Sequence, residues 1–218
     1  YAVGLGLALL TNRKGLKFKG LWRTIYVLPW AMPAFISLLV FRLMFNGIGP
    51  INNLIGSLGF ERIPFFTHPT LAKIMVVVIN VWLGAPYFMV LISGSLTNIS
   101  SSLYEAAEID GATKWQQFRS ITLPMLLFQT APVLILTFAF NFNNMTAVYL
   151  LTDGNPVNAS LKSAGETDIL ITWLYKLTLE QQQYGMAAVI SIVLFAFIAT
   201  FSIYNFRKSK SFTEEDMI

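Results

Sequence analysis

Apolar residues in this chain gather into four long runs, at about 21–45, 71–96, 123–151 and 186–206. Each is near the ~20 residues that an α-helix needs to cross the hydrocarbon core of a bilayer. A fifth run, 1–10, is too short to span and reads as the end of a helix that starts before Tyr1. A signal peptide would carry its basic residues ahead of the apolar stretch, whereas here Arg13 and Lys14 follow it. The pattern predicts an all-α polytopic membrane protein. Residues 1–218 form a single transmembrane domain in this reading, N-terminally truncated.

The polar connections must then alternate between two sides. One side receives Arg13, Lys14, Lys17, Lys19, Arg23, Lys114, Arg119, Arg207, Lys208 and Lys210, while the other receives only Arg62, Lys162 and Lys176. Basic residues are retained on the cytoplasmic face, so the first side is cytoplasmic. Helix parity and charge agree without one being fitted to the other. The C-terminus, with Glu214, Glu215 and Asp216, falls in the cytoplasm as a solvated tail. On the opposite side, Thr152–Pro156 is rich in turn formers. Residues 169–179 read there as a short helix at the membrane surface, with Trp173 and Tyr175 suited to the interface.

Composition supports this picture. Of 218 residues, 55% are hydrophobic and 12% charged, about half the charged share of an ordinary soluble domain. With no Cys there is no disulfide or thiolate metal site, and the single His68 excludes a histidine-rich one. The net charge of +4 raises nucleic acid as a partner. The basic residues lie between apolar runs instead of forming a stripe, so no nucleic-acid partner is expected.

The connection 97–122 carries the most specific signal. Ser102 and Glu105 have the spacing of a capping box, and Gly111 suits the left-handed residue that closes a helix. Thr113 and Gln116 repeat the capping-box spacing, so a second helix starts at once. Ala112, Trp115, Phe118 and Thr122 fall on one face of it. Pro124 stands where the next spanning helix is expected to begin. The string Glu105-Ala-Ala, then Gly111, then Ile121-x-Leu-Pro124, resembles the EAA motif of bacterial ATP-binding-cassette importer permeases. That resemblance implies a MetI-like ABC importer transmembrane domain. It also implies that Glu105, Ala106, Ala107, Gly111, Ile121, Leu123 and Pro124 couple the membrane helices to an ATPase.

Two spanning runs hold groups that lipid would not tolerate: Asn80-Val-Trp-Leu-Gly-Ala-Pro-Tyr87, with a Gly-x-Pro break, and Thr137-Phe-Ala-Phe-Asn-Phe-Asn-Asn144. Amides interleaved with aromatic rings suit a sugar, which offers hydroxyls to the former and C–H faces to the latter. Asn143 alone reads as helix–helix glue. The string Phe138-Ala-Phe-Asn-Phe-Asn-Asn144, then Leu151-Thr-Asp-Gly-x-Pro156, resembles MalF-type permeases of maltose and maltodextrin importers. So do Leu28-Pro-x-x-x-Pro33 with Phe35-Ile-Ser37, and Val81-Trp-Leu-Gly-x-Pro-Tyr87. By that resemblance Asn80, Leu83, Gly84, Tyr87, Thr137, Phe140, Asn141 and Asn144 line the sugar site. Thr137 replaces a Ser and keeps its hydroxyl; Ala85 replaces an aromatic residue beside the site, which bears on cavity size.

The resemblance further implies the bacterial cytoplasmic membrane as location, and several partners. These are a second, MalG-like permease subunit, an ATPase dimer, an extracytoplasmic solute-binding protein and membrane lipid. The chain shows no phosphate-binding glycine loop and no catalytic triad motif. It is therefore expected to be a transporter subunit without a cofactor of its own, ATP and Mg being bound by the ATPase. A membrane-embedded enzyme would need convergent ionisable groups in the bilayer, but Arg42 and Lys73 lie near helix ends where they can snorkel. A purely structural anchor would not need the Asn and Trp cluster. The sugar is expected to be a malto-oligosaccharide, with a galactose-containing oligosaccharide as the alternative.

Overall fold

The computed structural model describes residues 1–13, 15–158, 160 and 163–209. Lys14, Lys162, Lys210 and the acidic tail with Glu214, Glu215 and Asp216 lie outside them, as does the side chain of Lys208. The helices are α1 (Ala2–Asn12), α2 (Lys19–Ala31), α3 (Ala34–Met44), α4 (Pro50–Ser57), α5 (Pro69–Thr97) and α6 (Ser101–Ile109). There follow α7 (Lys114–Gln117), a π-helical turn (Phe118–Thr122), α8 (Leu123–Phe142), α9 (Met145–Thr152), α10 (Leu170–Tyr175), a second π turn (Lys176–Glu180) and α11 (Tyr184–Ser209). Among the described residues, three helices are long and apolar enough to cross a membrane: Pro69–Thr97, Lys114–Phe142 and Tyr184–Arg207.

The run at 21–45 is sharply bent, and its two halves pass together as a fourth candidate span if the pair is counted as one. It divides into α2 and α3, which meet at 90°. The cause is local. Pro33 disfavours a helical Met32, has φ −53° and ψ 123° itself, and acts as the N-cap of α3. Pro29, by contrast, is accommodated inside α2. Nor does Gly84-x-Pro86 break its helix, for α5 continues through it over 29 residues. The run at 123–151 does break, at Asn143 and Asn144, between α8 and α9.

The chain forms two compact units. Among the described residues, the first comprises those within 1–26, 85–140 and 198–209. In it α1 lies against α5 at small residues: Ala8 is fully buried, and a Cβ on Gly4 would come within 2.5 Å of the Phe88 Cβ and 2.9 Å of the Ala85 carbonyl oxygen. Close backbone approach of this kind is how spanning helices associate where lipid offers no hydrophobic drive. Tyr1 adds an edge-on contact with Phe88, rings 5.5 Å apart, and its hydroxyl lies 3.1 Å from the Thr130 Oγ1. Asn12 donates to the Ser93 Oγ at 2.9 Å.

The second unit comprises 27–84 and 141–197. Its core is Leu38, Met75, Ile79, Ala147 and Leu151, flanked by Phe41, Phe45 and Phe65. Two polar anchors organise its connections. Asn52 is fully buried; its amide donates to the carbonyls of Asn46 (3.0 Å) and Ile63 (2.9 Å) and accepts from the Ile63 N–H (2.8 Å). All its hydrogen-bonding capacity toward the loop is met, which is what burying an amide demands. In the segment after α9, Lys176 donates to Asp168 and to the Asp153 carbonyl, both at 2.9 Å. Asp168 is 2% exposed and Lys176 15%, so this ion pair is internal. The expected helix over 169–179 is present as α10 and the π turn that extends it.

Candidate functional site

Two places carry the groups that the sequence singles out. The first is the helix pair α6–α7. Its N-cap is Ser100, whose Oγ accepts from the Ser102 N–H; the capping box expected between Ser102 and Glu105 is replaced by this cap. Gly111 has φ +77°, and the Ala112 N–H returns to the Ala107 carbonyl at 2.8 Å, closing α6 through a left-handed residue. The second capping box is present as expected. Gln116 N–H donates to the Thr113 Oγ1, and Thr113 N–H donates to the Gln116 Oε1 at 2.7 Å. The hinge between the helices is thus a single glycine held by satisfied caps on both sides. The Tyr104 and Thr122 hydroxyls, 2.8 Å apart, fasten α6 to the π turn, and Lys114 pairs with Glu108 across the hinge.

The pair departs from expectation in two respects. Pro124 lies in the first turn of α8 as expected, but α8 does not start afresh there. From Lys114 the helix runs without interruption into α8, and the turn before Pro124 is π-helical, Leu123 N–H bonding the Phe118 carbonyl. A proline lacks its own N–H and crowds the carbonyl four residues back, so a widened turn ahead of it relieves both problems. The shared face of Ala112, Trp115, Phe118 and Thr122 is also not uniformly buried. Trp115 is 67% exposed and stacks on Phe118, centroids 5.5 Å apart, while Gln117 is buried and donates to the Ala112 carbonyl. Glu105, Ala106 and Pro124 are exposed, Ala107, Ile121 and Leu123 half-buried.

The second place is the polar stretch of α5 and α8. Within the second unit, Asn80 donates its amide to the Asn141 Oδ1 at 3.1 Å, joining the two helices side chain to side chain. Asn141 is exposed, and Asn80 half-buried. Leu83 packs against the Leu38 and Ile79 core. Gly84 has open space where a Cβ would stand. Asn144 is the N-cap residue of α9, without a side-chain capping bond. Within the first unit, Tyr87 meets Phe88 edge-on at 5.3 Å, and Thr137 donates its hydroxyl to the Val133 carbonyl at 2.7 Å. Phe140 is 70% exposed.

Sequence reasoning missed Asn52, Gln117 and the Asp168–Lys176 pair. Gln117 alone left a usable signal: four residues past the Thr113 cap, its side chain can reach back to the carbonyl just before that cap.

The family described as "Binding-protein-dependent transport system inner membrane component" matches residues 2–211. The chain is 42% identical over 226 residues to the maltodextrin transport system permease protein MdxF of Bacillus subtilis (strain 168). That alignment takes in 99% of this chain and 52% of the relative. It is 40% identical over 215 residues to the galactooligosaccharides transport system permease protein GanP of the same organism, taking in 98% and 51%. The chain therefore spans about half the length of these curated relatives. Among solved structures it resembles the crystal structure of a bacterial alginate ABC transporter in complex with alginate pentasaccharide-bound periplasmic protein. The TM-score is 0.78 at 23% identity, with 97% of this chain and 72% of that one covered, which shows a shared fold.

Proposed function

The chain belongs to the family of binding-protein-dependent transport system inner membrane components, and from that premise we propose that it is the permease subunit of an ATP-driven importer of oligosaccharides. A malto-oligosaccharide is the preferred cargo. A galactose-containing oligosaccharide is the second reading, favoured by the 40% identity to GanP. The observation that carries the proposal is the capped helix pair α6–α7. Its hinge is one left-handed glycine, its caps are satisfied, and it presents Trp115 and Ile109 outward at 67% and 87% exposure. A short rigid projection of this build suits insertion into a partner and transmission of force. In this proposal the partner is an ATPase dimer that binds the ATP and Mg. Its closure moves the spanning helices between outward and inward access, a solute-binding protein delivers the sugar from outside, and a second permease subunit completes the pathway.

Orientation follows from charge in the same proposal. Lys114 and Arg119 lie on the cytoplasmic side and the segment before α10 lies outside. A cysteine placed at Lys114 should react with an impermeant thiol reagent only after the cells are opened, and one at Ser163 in intact cells. Labelling of the Lys114→Cys protein from outside would reverse the topology.

Asn80, Leu83, Gly84, Tyr87, Thr137, Phe140, Asn141 and Asn144 are proposed to meet the sugar. The Asn80–Asn141 contact supports this in part. Asn141 accepts from Asn80 at 3.1 Å, and a carboxamide carries both the donor and the acceptor functions that suit a sugar hydroxyl. Replacing Asn141 by Ala removes both functions without adding bulk. Each lost neutral hydrogen bond costs roughly 0.5–1.5 kcal/mol, so the KM for uptake should rise by up to about tenfold. ATP hydrolysis stimulated by the binding protein should persist. Loss of the assembled complex, or of both activities together, would make the asparagine pair structural instead.

A further inference from the structure

The first unit contains an open cleft of about 430 Å³ where the ends of α1 and α5 approach the helix pair α6–α7. Its apolar wall is Leu9, Leu96 and Phe118, and its cations are Arg13 and Lys114. Asn12, Thr97, Tyr104, Gln117 and Thr122 add amides and hydroxyls between them. Among the described residues no carboxylate lines it. Arg23 adds a third cation at the rim, donating to the Asn12 Oδ1 at 2.7 Å. Glu108, paired with Lys114, offsets one of the three. The guanidinium of Arg13 has no partner among the described residues. A cleft with net positive charge, a wall that suits hydrocarbon and a position at the ends of apolar helices has the chemistry of a lipid headgroup site. We propose that it binds an anionic phospholipid, of the phosphatidylglycerol type. The phosphodiester sits between Arg13 and Lys114, the headgroup hydroxyls face Asn12 and Gln117, and an acyl chain follows Leu9 and Leu96.

A soluble anion would gain nothing from the apolar wall, and a zwitterionic lipid would bring a cation of its own into a cleft that is already net positive. The lipid touches α1, α5 and the helix pair at once, so it braces the projection against the spanning helices. The inference needs only a membrane setting and does not depend on which substrate is carried.

The test is lipid titration of the complete purified permease complex, followed by native mass spectrometry. The probes are dioleoylphosphatidylglycerol and dioleoylphosphatidylcholine. The phosphatidylglycerol should bind preferentially. Each removed cation should weaken it about fivefold, so the Arg13→Gln/Lys114→Gln double variant should lose about 25-fold, whereas Arg13→Lys should retain binding. Lys17→Gln/Lys19→Gln removes equal charge from a neighbouring segment that does not line the cleft, and should change nothing. If the double variant does not assemble, Arg13→Gln alone should still show the fivefold loss. An equal loss in the Lys17/Lys19 control, an absence of preference between the two lipids, or displacement of the lipid by millimolar inorganic phosphate would each overturn the assignment.

Discussion

Replacing Gly165 by Ala should unfold the segment between α9 and α10 and lower the thermal stability of the whole protein. A Cβ at this position would enter the van der Waals envelope of the Gly154 carbonyl oxygen and lie 2.7 Å from its carbon and 3.1 Å from the Pro156 oxygen. These are backbone atoms, so no rotamer change can clear them. They are also fixed by bonds on either side: Thr167 N–H to the Gly154 carbonyl at 3.1 Å, and Glu166 N–H to the Pro156 carbonyl at 2.7 Å. Moving this segment away would also strain the Thr167 hydroxyl bond to the Asn155 carbonyl and the internal Asp168–Lys176 pair. Overpacking alone costs about 1–3 kcal/mol and each lost bond about 1 more. A loss of about 3–5 kcal/mol is expected, measured as a lower melting temperature and faster protease cleavage in this segment. Gly56→Ala is the control. Gly56 lies inside α4 with open space at its Cβ position, and alanine there should be neutral or stabilising by about 1 kcal/mol. A Gly165→Ala protein as stable as the Gly56→Ala protein would show that the close approach is unimportant.

Gly111→Val should abolish most sugar transport while leaving the protein inserted and folded. Here the environment is open, with nothing within 4 Å of the Cβ position, so the whole cost is conformational. The backbone sits at φ +77°, which costs an ordinary side chain about 1–2 kcal/mol and a β-branched one more. Valine therefore moves the chain out of this region. The Ala112–Ala107 closure is lost, and α7 leaves the angle set by the hinge. Asparagine tolerates the left-handed region, so Gly111→Asn should keep much of the activity. The measurement is uptake and ATPase stimulation in the complete complex, alongside membrane yield. Normal coupling in Gly111→Val would exclude the hinge from force transmission.

The lengths of the apolar runs were enough to place α5 and α11, because a bilayer fixes helix length more rigidly than a globular core does. The hinge was equally legible, since a capping box and a glycine each leave a local residue signature. Prolines were not. Pro33 ends a helix and Pro86 does not, although both sit in apolar runs beside small residues. Around Pro86 the chain is locked by buried Ala85, Phe88 and Met89, whereas α2, ahead of Pro33, has no buried residue. Tertiary packing thus decides whether the lost helical bond is tolerated, and periodicity cannot see it. Three consecutive serines hid the cap of α6, any of Ser100, Ser101 and Ser102 being competent by type. A regular helical period put Trp115 on one face with Ala112, Phe118 and Thr122, yet Trp115 is exposed where Thr122 is buried. The π turn from Phe118 shifts that period, and Gln117 occupies the buried position. At the polar stretch, residue type singled out Asn80 and Asn141, but their 3.1 Å contact depends on the packing of two distant helices.

The proposed activity is ATP-driven uptake of an oligosaccharide through this chain. Its most direct measurement reconstitutes the complete permease with its partner subunit, ATPase and binding protein in liposomes and follows radiolabelled maltotetraose, with a labelled galacto-oligosaccharide in parallel. One of these sugars should accumulate, in a manner that requires both ATP and the binding protein and that fails in Gly111→Val. Failure to accumulate either sugar, or accumulation that proceeds without ATP, would contradict it.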